Sequence, residues 1–287
     1  MTKWIKILMD LNKVRITFAV TLTTMAGYIL AKGTVDLDII LPVLGIFILA
    51  CGSAALNHIQ DRDKDAIMER TRNRPIPSGD ISTSLVLTIA ITQIVIGSLL
   101  IYFGSGFLAM QLGILALIWY NGIYTPLKRK TAFAVIPGSV IGAIPPLVGW
   151  VAAGGSLLDP KAMVLALFFF MWQVPHFWLL MLKYGEEYDK AGFPSITSTI
   201  SKRSVKNYTF LWTVATAVSA LMIAMSGLIS LMIFKIMILI ASIWLIAVFS
   251  KLLMKEEKEF KPFYYFMRIN YFVLIMIFVL SIEPLVK

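Results

Sequence analysis

The chain has 287 residues, of which 59% are hydrophobic and 15% are charged. A soluble domain carries about 25% charged residues, so this composition excludes a water-soluble fold of this size and indicates that lipid is the solvent. Lysine and arginine number 26 against 16 acidic residues, an excess that membrane proteins collect on one side of the bilayer, so it does not predict nucleic-acid binding. The single cysteine, Cys51, excludes an internal disulfide and a cysteine-based metal cluster.

Apolar stretches long enough to cross the hydrocarbon, which takes roughly 20 helical residues, follow one another along the whole chain. The sequence therefore predicts an all-α polytopic membrane protein that forms one transmembrane domain over residues 1–287. Lysines precede the first stretch, as in a signal peptide, but no small-residue cleavage site follows, so we expect that helix to be retained. Nine stretches are predicted, at approximately 16–31, 38–57, 82–103, 106–121, 133–153, 161–182, 208–227, 229–250 and 263–283.

The basic residues predict how the chain is oriented in the membrane. Nearly all of them fall in the N-terminal segment, in the links after spans two, four, six and eight, or just inside span nine. With nine spans, all these segments lie on the same side. Because lysine and arginine accumulate in cytoplasmic loops, we expect a cytoplasmic N-terminus and an external C-terminus. The exceptions are Lys32, Lys161, Lys235 and Lys287.

Oxygen-bearing side chains recur every four residues where the second span ends. If the helix continues past Asn57, then Asn57, Asp61 and Asp65 lie on one face, in a stripe about 12 Å long. Such ligands suit Mg²⁺, which keeps several waters and shares phosphate oxygens. A helix end merely solvated by acidic residues is the alternative reading.

Cations follow this stripe closely in the sequence. Arg70, Arg72 and Arg74 come next, and arginine binds phosphate oxygens through paired hydrogen bonds. Lys128 and Arg129, after span four, would add positive charge, although membrane topology alone also explains them. A second acidic group after span six could supply another metal ligand, and spacing does not choose among Glu186, Glu187 and Asp189. The pattern indicates a diphosphate site at the cytoplasmic membrane surface.

These motifs resemble a known family. The run from Asn57 through Asp61 and Asp65 to Arg70-Thr71 and Arg74-Pro75 resembles the first signature of the UbiA-superfamily membrane prenyltransferases. Two further segments, GAIPPLVGW at 142–150 and WQVPHFW at 172–178, are most similar to the protoheme IX farnesyltransferase (haem O synthase) branch of that superfamily. The segment around Tyr124 and Lys128 fits the same branch. Where this branch commonly has aspartate before Tyr188, the chain has Glu187.

The resemblance implies a UbiA-like helical bundle and an activity. The activity is Mg²⁺-dependent transfer of a farnesyl group from farnesyl diphosphate to a vinyl group of haem B, which gives haem O. The implied catalytic residues are Asp61, Asp65, Arg70 and Lys128. The implied metal ligands are Asn57, Asp61, Asp65 and Glu187; the implied diphosphate ligands are Arg70, Arg74, Lys128 and Arg129; and His176 and Tyr124 would contact the acceptor.

The same resemblance implies a location and partners. We expect an integral protein of a bacterial or archaeal plasma membrane, with the active site facing the cytoplasm and haem A synthase or terminal-oxidase assembly proteins as partners. Two other functions stay open at this point. One is a UbiA-type enzyme that prenylates a quinone ring or another aromatic or lipid acceptor, and the other is a transporter whose buried acids line an ion path. Arginines beside the acids argue against a simple cation path.

Overall fold

The computed structural model describes residues 3–254 and 261–287, and the described part of the chain is built from helices without any strand. An all-helical membrane fold is therefore confirmed. Lys255 and Lys258, which we assigned to the basic link after span eight, lie outside the described residues. In chain order the helices are α1 Lys3–Leu11, α2 Val14–Lys32, α3 Ile40–Asp65, α4 Thr83–Leu117, α5 Thr125–Leu127, α6 Val135–Gly138, α7 Val140–Ala152, α8 Pro160–Lys190, α9 Ile196–Thr199, α10 Lys202–Met225, α11 Met232–Met254 and α12 Pro262–Val286.

The third and fourth predicted spans form the two arms of one long element. The described residues hold eight helical stretches long and apolar enough to cross a membrane, and one of them, Thr83–Leu127, is 45 residues long. It breaks at Gly106, whose φ of 80° is in the left-handed region that favours glycine. The arm before Gly106 approaches α3 at Gly45 and Gly52 in antiparallel order, whereas the arm after it runs parallel to α3. The chain therefore reverses direction at Gly106, and the number of membrane crossings stays a prediction.

Two helices near the site approach at backbone contact. A Cβ atom built on Gly27 of α2 would lie 2.1 Å from the carbonyl oxygen of Pro146 in α7. A Cβ atom on Gly149 would lie 1.9 Å from the carbonyl oxygen of Thr24. Because neither position can accept a side chain, glycine at both lets α2 and α7 pack closely.

The structure lengthens several predicted helices at the ends that carry polar residues. α3 continues eight residues beyond our predicted limit of 57, and α8 continues to Lys190 rather than 182. α10 begins at Lys202, ahead of the predicted 208. Polar residues that we assigned to links therefore stand on rigid helical turns. This extension positions the acids and cations described below.

Candidate active site

The acidic stripe lies on one buried face of α3. Because the helix runs through Asp65, the three side chains share a face as the spacing predicted. Asn57, Asp61 and Asp65 are 2%, 4% and 1% exposed. Asn57 Nδ2 donates a 2.9 Å hydrogen bond to Asp61 Oδ2 and a 3.2 Å hydrogen bond to Thr125 Oγ1. Buried carboxylates are costly unless they are paired, so their partners define the site.

Two cations from the segment after α5 neutralise Asp61. Lys128 Nζ pairs with Asp61 Oδ2, and Arg129 Nη2 lies 3.4 Å from Asp61 Oδ1. Arg129 Nη2 also donates to the main-chain carbonyl oxygen of Gln60. Burial lowers the pKa of Lys128 below the usual lysine value, against the opposing effect of the Asp61 charge. The structure thus brings together three predicted site residues from two distant segments.

Arg74 forms an ion pair with Asp65, as Lys128 does with Asp61. Arg74 Nη1 lies 2.6 Å from Asp65 Oδ2, and the arginine side chain is 24% exposed. The hydroxyl of Thr71 donates to the main-chain carbonyl oxygen of Asp65 at 2.9 Å, which folds the segment after α3 back over the stripe. Arg72, which the family resemblance did not assign to the diphosphate, is exposed. The turn therefore selects Arg74 for the buried carboxylate.

Lys13 is a site residue that sequence analysis did not identify. It lies between α1 and α2 with a φ of 44°, the only non-glycine residue with positive φ in the described chain. Its Nζ donates a 2.7 Å hydrogen bond to Asn57 Oδ1. Burial, reinforced by the nearby charges of Arg74 and Lys128, lowers the pKa of Lys13 to about 7. In the sequence, Lys13 counted only as one of several N-terminal basic residues.

A π-helical segment, Ile118–Tyr124, joins α4 to α5 and places Tyr124 beside these cations. Asn121 fixes the segment to α3: its Oδ1 accepts from Ser53 Oγ at 2.6 Å and its Nδ2 donates to Gln60 Oε1 at 2.9 Å. The Lys128 Nζ lies 5.7 Å from the centroid of the Tyr124 ring. π-helical turns inside α-helices are frequent at functional sites because they redirect side chains.

A cavity of about 120 Å³ opens next to Lys128. Its wall combines the cationic side chains of Arg70 and Lys128 with the apolar side chains of Leu180 and Met181. This mixture suits the chemistry of an amphiphile with an anionic head and a hydrocarbon tail. Four aromatic rings also line the cavity: Tyr124, Phe177, Tyr184 and Tyr188.

The second acidic group lies on the last turns of α8. Glu187 Oε2 accepts a 3.3 Å hydrogen bond from the backbone nitrogen of Arg70. Asp189 instead accepts from the backbone nitrogen and the hydroxyl of Ser195, and Glu186 is exposed. Glu187 is therefore the acid of this group that faces the segment after α3. The Arg70 guanidinium lies 5.0 Å from the centroid of the Tyr184 ring.

His176 is half-buried on α8, outside the residues that line the cavity. Its ring is edge-on to Phe177 with centroids 5.6 Å apart, and Phe177 lies 6.0 Å from Tyr124. His176 Nδ1 lies 2.9 Å from Asn270 Oδ1 on α12. The two predicted acceptor residues are therefore linked through a single phenylalanine rather than by direct contact.

The donor atoms suit a hard cation that is shared with a ligand. Among residues 3–254 and 261–287, no three acidic, histidine or cysteine side chains converge closely enough to hold a metal ion by themselves. Asp61 and Asp65 are nevertheless one helical turn apart, buried, and each paired with a cationic side chain. Mg²⁺ commonly takes one or two carboxylates and completes its shell with water and phosphate oxygens. The residues present fit that arrangement and not an all-protein cage.

Comparison with known sequences gives a family. The model of the UbiA prenyltransferase family matches residues 20–272. A protoheme IX farnesyltransferase from Geobacter sulfurreducens is 39% identical over 207 residues, which cover 72% of this chain and 76% of the relative. One from Aquifex aeolicus is 34% identical over 264 residues, covering 91% and 90% of the two chains.

Solved structures share the fold. The structure described as digeranylgeranylglyceryl phosphate synthase in membranes superposes with a TM-score of 0.80 at 17% identity and covers 99% of both chains. A UbiA homolog from Archaeoglobus fulgidus bound to GPP and Mg²⁺ superposes with a TM-score of 0.71 at 13% identity, covering 98% of this chain and all of that one. At these identities the likeness shows a common architecture.

Proposed function

The chain belongs to the UbiA prenyltransferase family, and from that premise we propose that it transfers a farnesyl group from farnesyl diphosphate to a vinyl group of haem B, giving haem O. The observation that carries the proposal is the pairing of two buried carboxylates with cations, one of which, Lys128, also lines a cavity that has apolar side chains in its wall. Relatives of 34–39% identity that bear the name protoheme IX farnesyltransferase support the choice of donor and acceptor.

The diphosphate would lie between the cations and the acidic stripe. We assign its oxygens to Arg70, Arg74, Lys128 and Arg129, and we assign Asn57, Asp61, Asp65 and Glu187 as the residues that would hold Mg²⁺. When bound there, the metal would supply positive charge for the leaving diphosphate. Lys128 and Arg74 pair with the carboxylates in the structure, so metal and diphosphate would exchange these pairs for new ones without leaving a buried charge alone. The Mg²⁺-bound structure of a UbiA homolog supports this assignment by fold.

Ionisation breaks the allylic C–O bond, and its electron pair leaves with the diphosphate. Cations held in a cavity of low dielectric stabilise that negative charge more strongly than water would. The terminal vinyl carbon of haem B then forms a bond to C1 of the farnesyl cation. Water adds to the resulting cation beside the pyrrole ring and loses a proton, which completes the hydroxyethylfarnesyl group.

Aromatic rings would protect and steer the cationic intermediate. Tyr124 stands between Lys128 and Phe177, so its face can stabilise positive charge once the diphosphate has drawn the lysine away. The tail of the donor would pack against the apolar side chains of Leu180 and Met181. There it excludes water until the acceptor has reacted.

The acceptor would approach from the His176 side of Phe177. His176 stands among the rings of Trp172, Phe177 and Phe266, with centroids 4.9, 5.6 and 4.7 Å away. A planar macrocycle with a metal centre suits such an aromatic group around one histidine.

We also propose, from the positive charges of the site, that the active site faces the cytoplasmic side of the plasma membrane. Proteins of haem A synthesis or oxidase assembly would receive the product.

The test uses purified protein in detergent with farnesyl diphosphate, haem B and Mg²⁺, and mass spectrometry detects haem O. Parallel reactions replace haem B with a quinone precursor and farnesyl diphosphate with geranylgeranyl diphosphate. Haem O that forms with Mg²⁺ and is lost with EDTA supports acceptor and metal together. Prenylation of the quinone precursor without haem O would refute the acceptor while keeping prenyl transfer.

A further inference from the structure

The contact between α8 and α12 at His176 determines which ring nitrogen carries the proton. Asn270 Nδ2 donates a 2.7 Å hydrogen bond to the main-chain carbonyl oxygen of Phe266. Turning the amide over would place two acceptor oxygens against each other, so the amide orientation is fixed. Asn270 Oδ1 therefore faces His176 Nδ1, 2.9 Å away, as an acceptor. Nδ1 is therefore the nitrogen that carries the proton when the ring is neutral.

The other ring nitrogen then has a free lone pair. In the part of the chain that the structure describes, no protein group hydrogen-bonds to His176 Nε2, and the side chain is only half-buried. A neutral imidazole whose Nδ1 donates to an oxygen and whose Nε2 is free is the form in which histidine binds metals. The same form cannot donate a hydrogen bond from Nε2 to a carboxylate of the ligand.

We propose that Asn270 is a positioning residue that holds His176 in the Nδ1-protonated form, so that Nε2 binds the iron of the tetrapyrrole acceptor. The inference rests on the proposed function and makes it more specific. It excludes a contact of neutral His176 with a propionate as the main interaction. Asn270 acts only through the histidine, and the rings of Trp172, Phe177 and Phe266 would flank the macrocycle.

The test measures binding of haem B and of metal-free protoporphyrin IX to the full chain in detergent by absorption and resonance Raman spectroscopy. In the unaltered protein we expect a histidine-ligated iron spectrum. Asn270→Leu should weaken haem B binding about tenfold, because the ring is free to take the other tautomer, and should change the iron spectrum. Binding of protoporphyrin IX, which has no iron, should not change.

Two further variants separate positioning from damage to the fold. Asn270→Asp keeps an acceptor oxygen towards Nδ1 and should preserve the iron spectrum, with haem B affinity within about threefold of the unaltered protein. His176→Ala should lose the histidine-ligated spectrum, and added imidazole should restore it. Ser281→Ala, on the same helix about 16 Å further along by helical rise, is the control for packing of α12, since the buried Ser281 hydroxyl has no partner among the described residues.

The outcomes distinguish the inference from the proposed function. If haem O forms but Asn270→Leu and His176→Ala keep the wild-type iron spectrum, the inference is wrong and the proposed function stands. If Asn270→Leu weakens haem B and protoporphyrin IX equally, Asn270 supports the pocket and not the iron ligand, which also refutes the inference. If the unaltered protein binds no haem and prenylates another acceptor, both fail together.

Discussion

Lys13 Nζ and Asn57 Oδ1 are joined by a 2.7 Å hydrogen bond that fixes the turn between α1 and α2 against the first residue of the acidic stripe. The contact links residues 44 positions apart. Lys13 has a positive φ, a conformation that costs a non-glycine residue roughly 1–2 kcal/mol. Its amine is buried beside Arg74 and Lys128, which helps lower its pKa to about 7. On the strained backbone and the buried amine we base the prediction that Lys13 contributes to binding of the proposed diphosphate substrate.

Lys13→Gly separates the amine from the backbone. Because glycine accepts the positive φ without strain, the variant should be at least as stable as the unaltered protein in thermal denaturation. It should also raise KM for the prenyl diphosphate about tenfold, since one cation facing the diphosphate is lost. Arg15→Gly, two residues along and exposed, controls for the loss of N-terminal charge. An unchanged KM in Lys13→Gly would refute the role of the amine.

Neutralising an acid of the stripe should nearly abolish turnover, whereas neutralising a nearby acid on another face of the helix should have little effect. We expect Asp61→Asn and Asp65→Asn each to lower kcat by about 10²–10³, because each variant loses a ligand of the metal that the diphosphate would share. The Mg²⁺ concentration for half-maximal rate should rise about 10–100-fold. Asp63→Asn, on the exposed face of the same helix, should keep near-normal kcat. Full prenyl transfer by Asp61→Asn would remove the metal assignment.

The Arg74–Asp65 pair should show opposite effects on stability and activity. Arg74→Met leaves the Asp65 carboxylate buried without its partner, which costs about 3 kcal/mol and should lower Tm in detergent. The double variant Asp65→Asn with Arg74→Met removes the stranded charge and should recover most of that Tm. It should stay inactive, because both proposed diphosphate-site groups are gone. Recovery of activity together with stability would mean that the pair is only structural.

The opposite end of α2 gives a prediction about pH and stability. The hydroxyl of Tyr28 donates a 2.5 Å hydrogen bond to Asp36, which is the main cause that lowers the pKa of the Asp36 carboxyl below its usual value, with Lys32 adding to it. A carboxyl whose pKa is lowered in the folded state stabilises the fold at pH values above the ordinary aspartate range. This stabilisation is lost as the pH falls through the folded-state pKa. Tyr28→Phe should therefore lower Tm at neutral pH, and the difference should shrink in acid.

Thermal denaturation of the unaltered protein and of Tyr28→Phe across the acidic pH range checks this predicted pH dependence. A Tm difference that stays constant with pH would assign the effect to packing of the phenol rather than to the charged hydrogen bond. Asp38→Asn is the control, because no hydrogen bond joins Asp38 to Tyr28 in the described structure.

Residue periodicity predicted the parts of the site that lie along one helix. Asn57, Asp61 and Asp65 lie on a common face because their spacing of four matches the helical repeat. Of the arginines that follow them, Arg74 reaches Asp65, because a short chain segment cannot carry it far, whereas Arg72 is exposed. The helical bundle itself followed from apolar stretches of membrane-spanning length.

Contacts between distant segments could not be predicted from residue periodicity. Lys13 had the same sequence context as its basic neighbours, and only folding brings it to Asn57. Asn270 lies in the middle of an apolar span, where nothing in the sequence indicates that it faces His176. The roles given to these residues depend on which face each helix turns to its neighbour, and packing sets that choice.

A contact between α6 and the π-helical segment gives a last prediction about Tyr124. A Cβ atom on Gly138 would lie 2.5 Å from Cδ2 of the Tyr124 ring, so Gly138→Ala must displace the ring from its place between Lys128 and Phe177. We expect about a tenfold loss of kcat and more farnesol, which forms when water captures the farnesyl cation, because the cation is less protected from water. Tyr124→Phe keeps the ring and should retain most of the activity, whereas Tyr124→Leu should behave like Gly138→Ala. Product analysis by mass spectrometry checks the ratio of prenylated acceptor to farnesol. If Tyr124→Leu kept the normal ratio, the ring would have no part in guarding the cation, and the effect of Gly138→Ala would have to come from α6 itself.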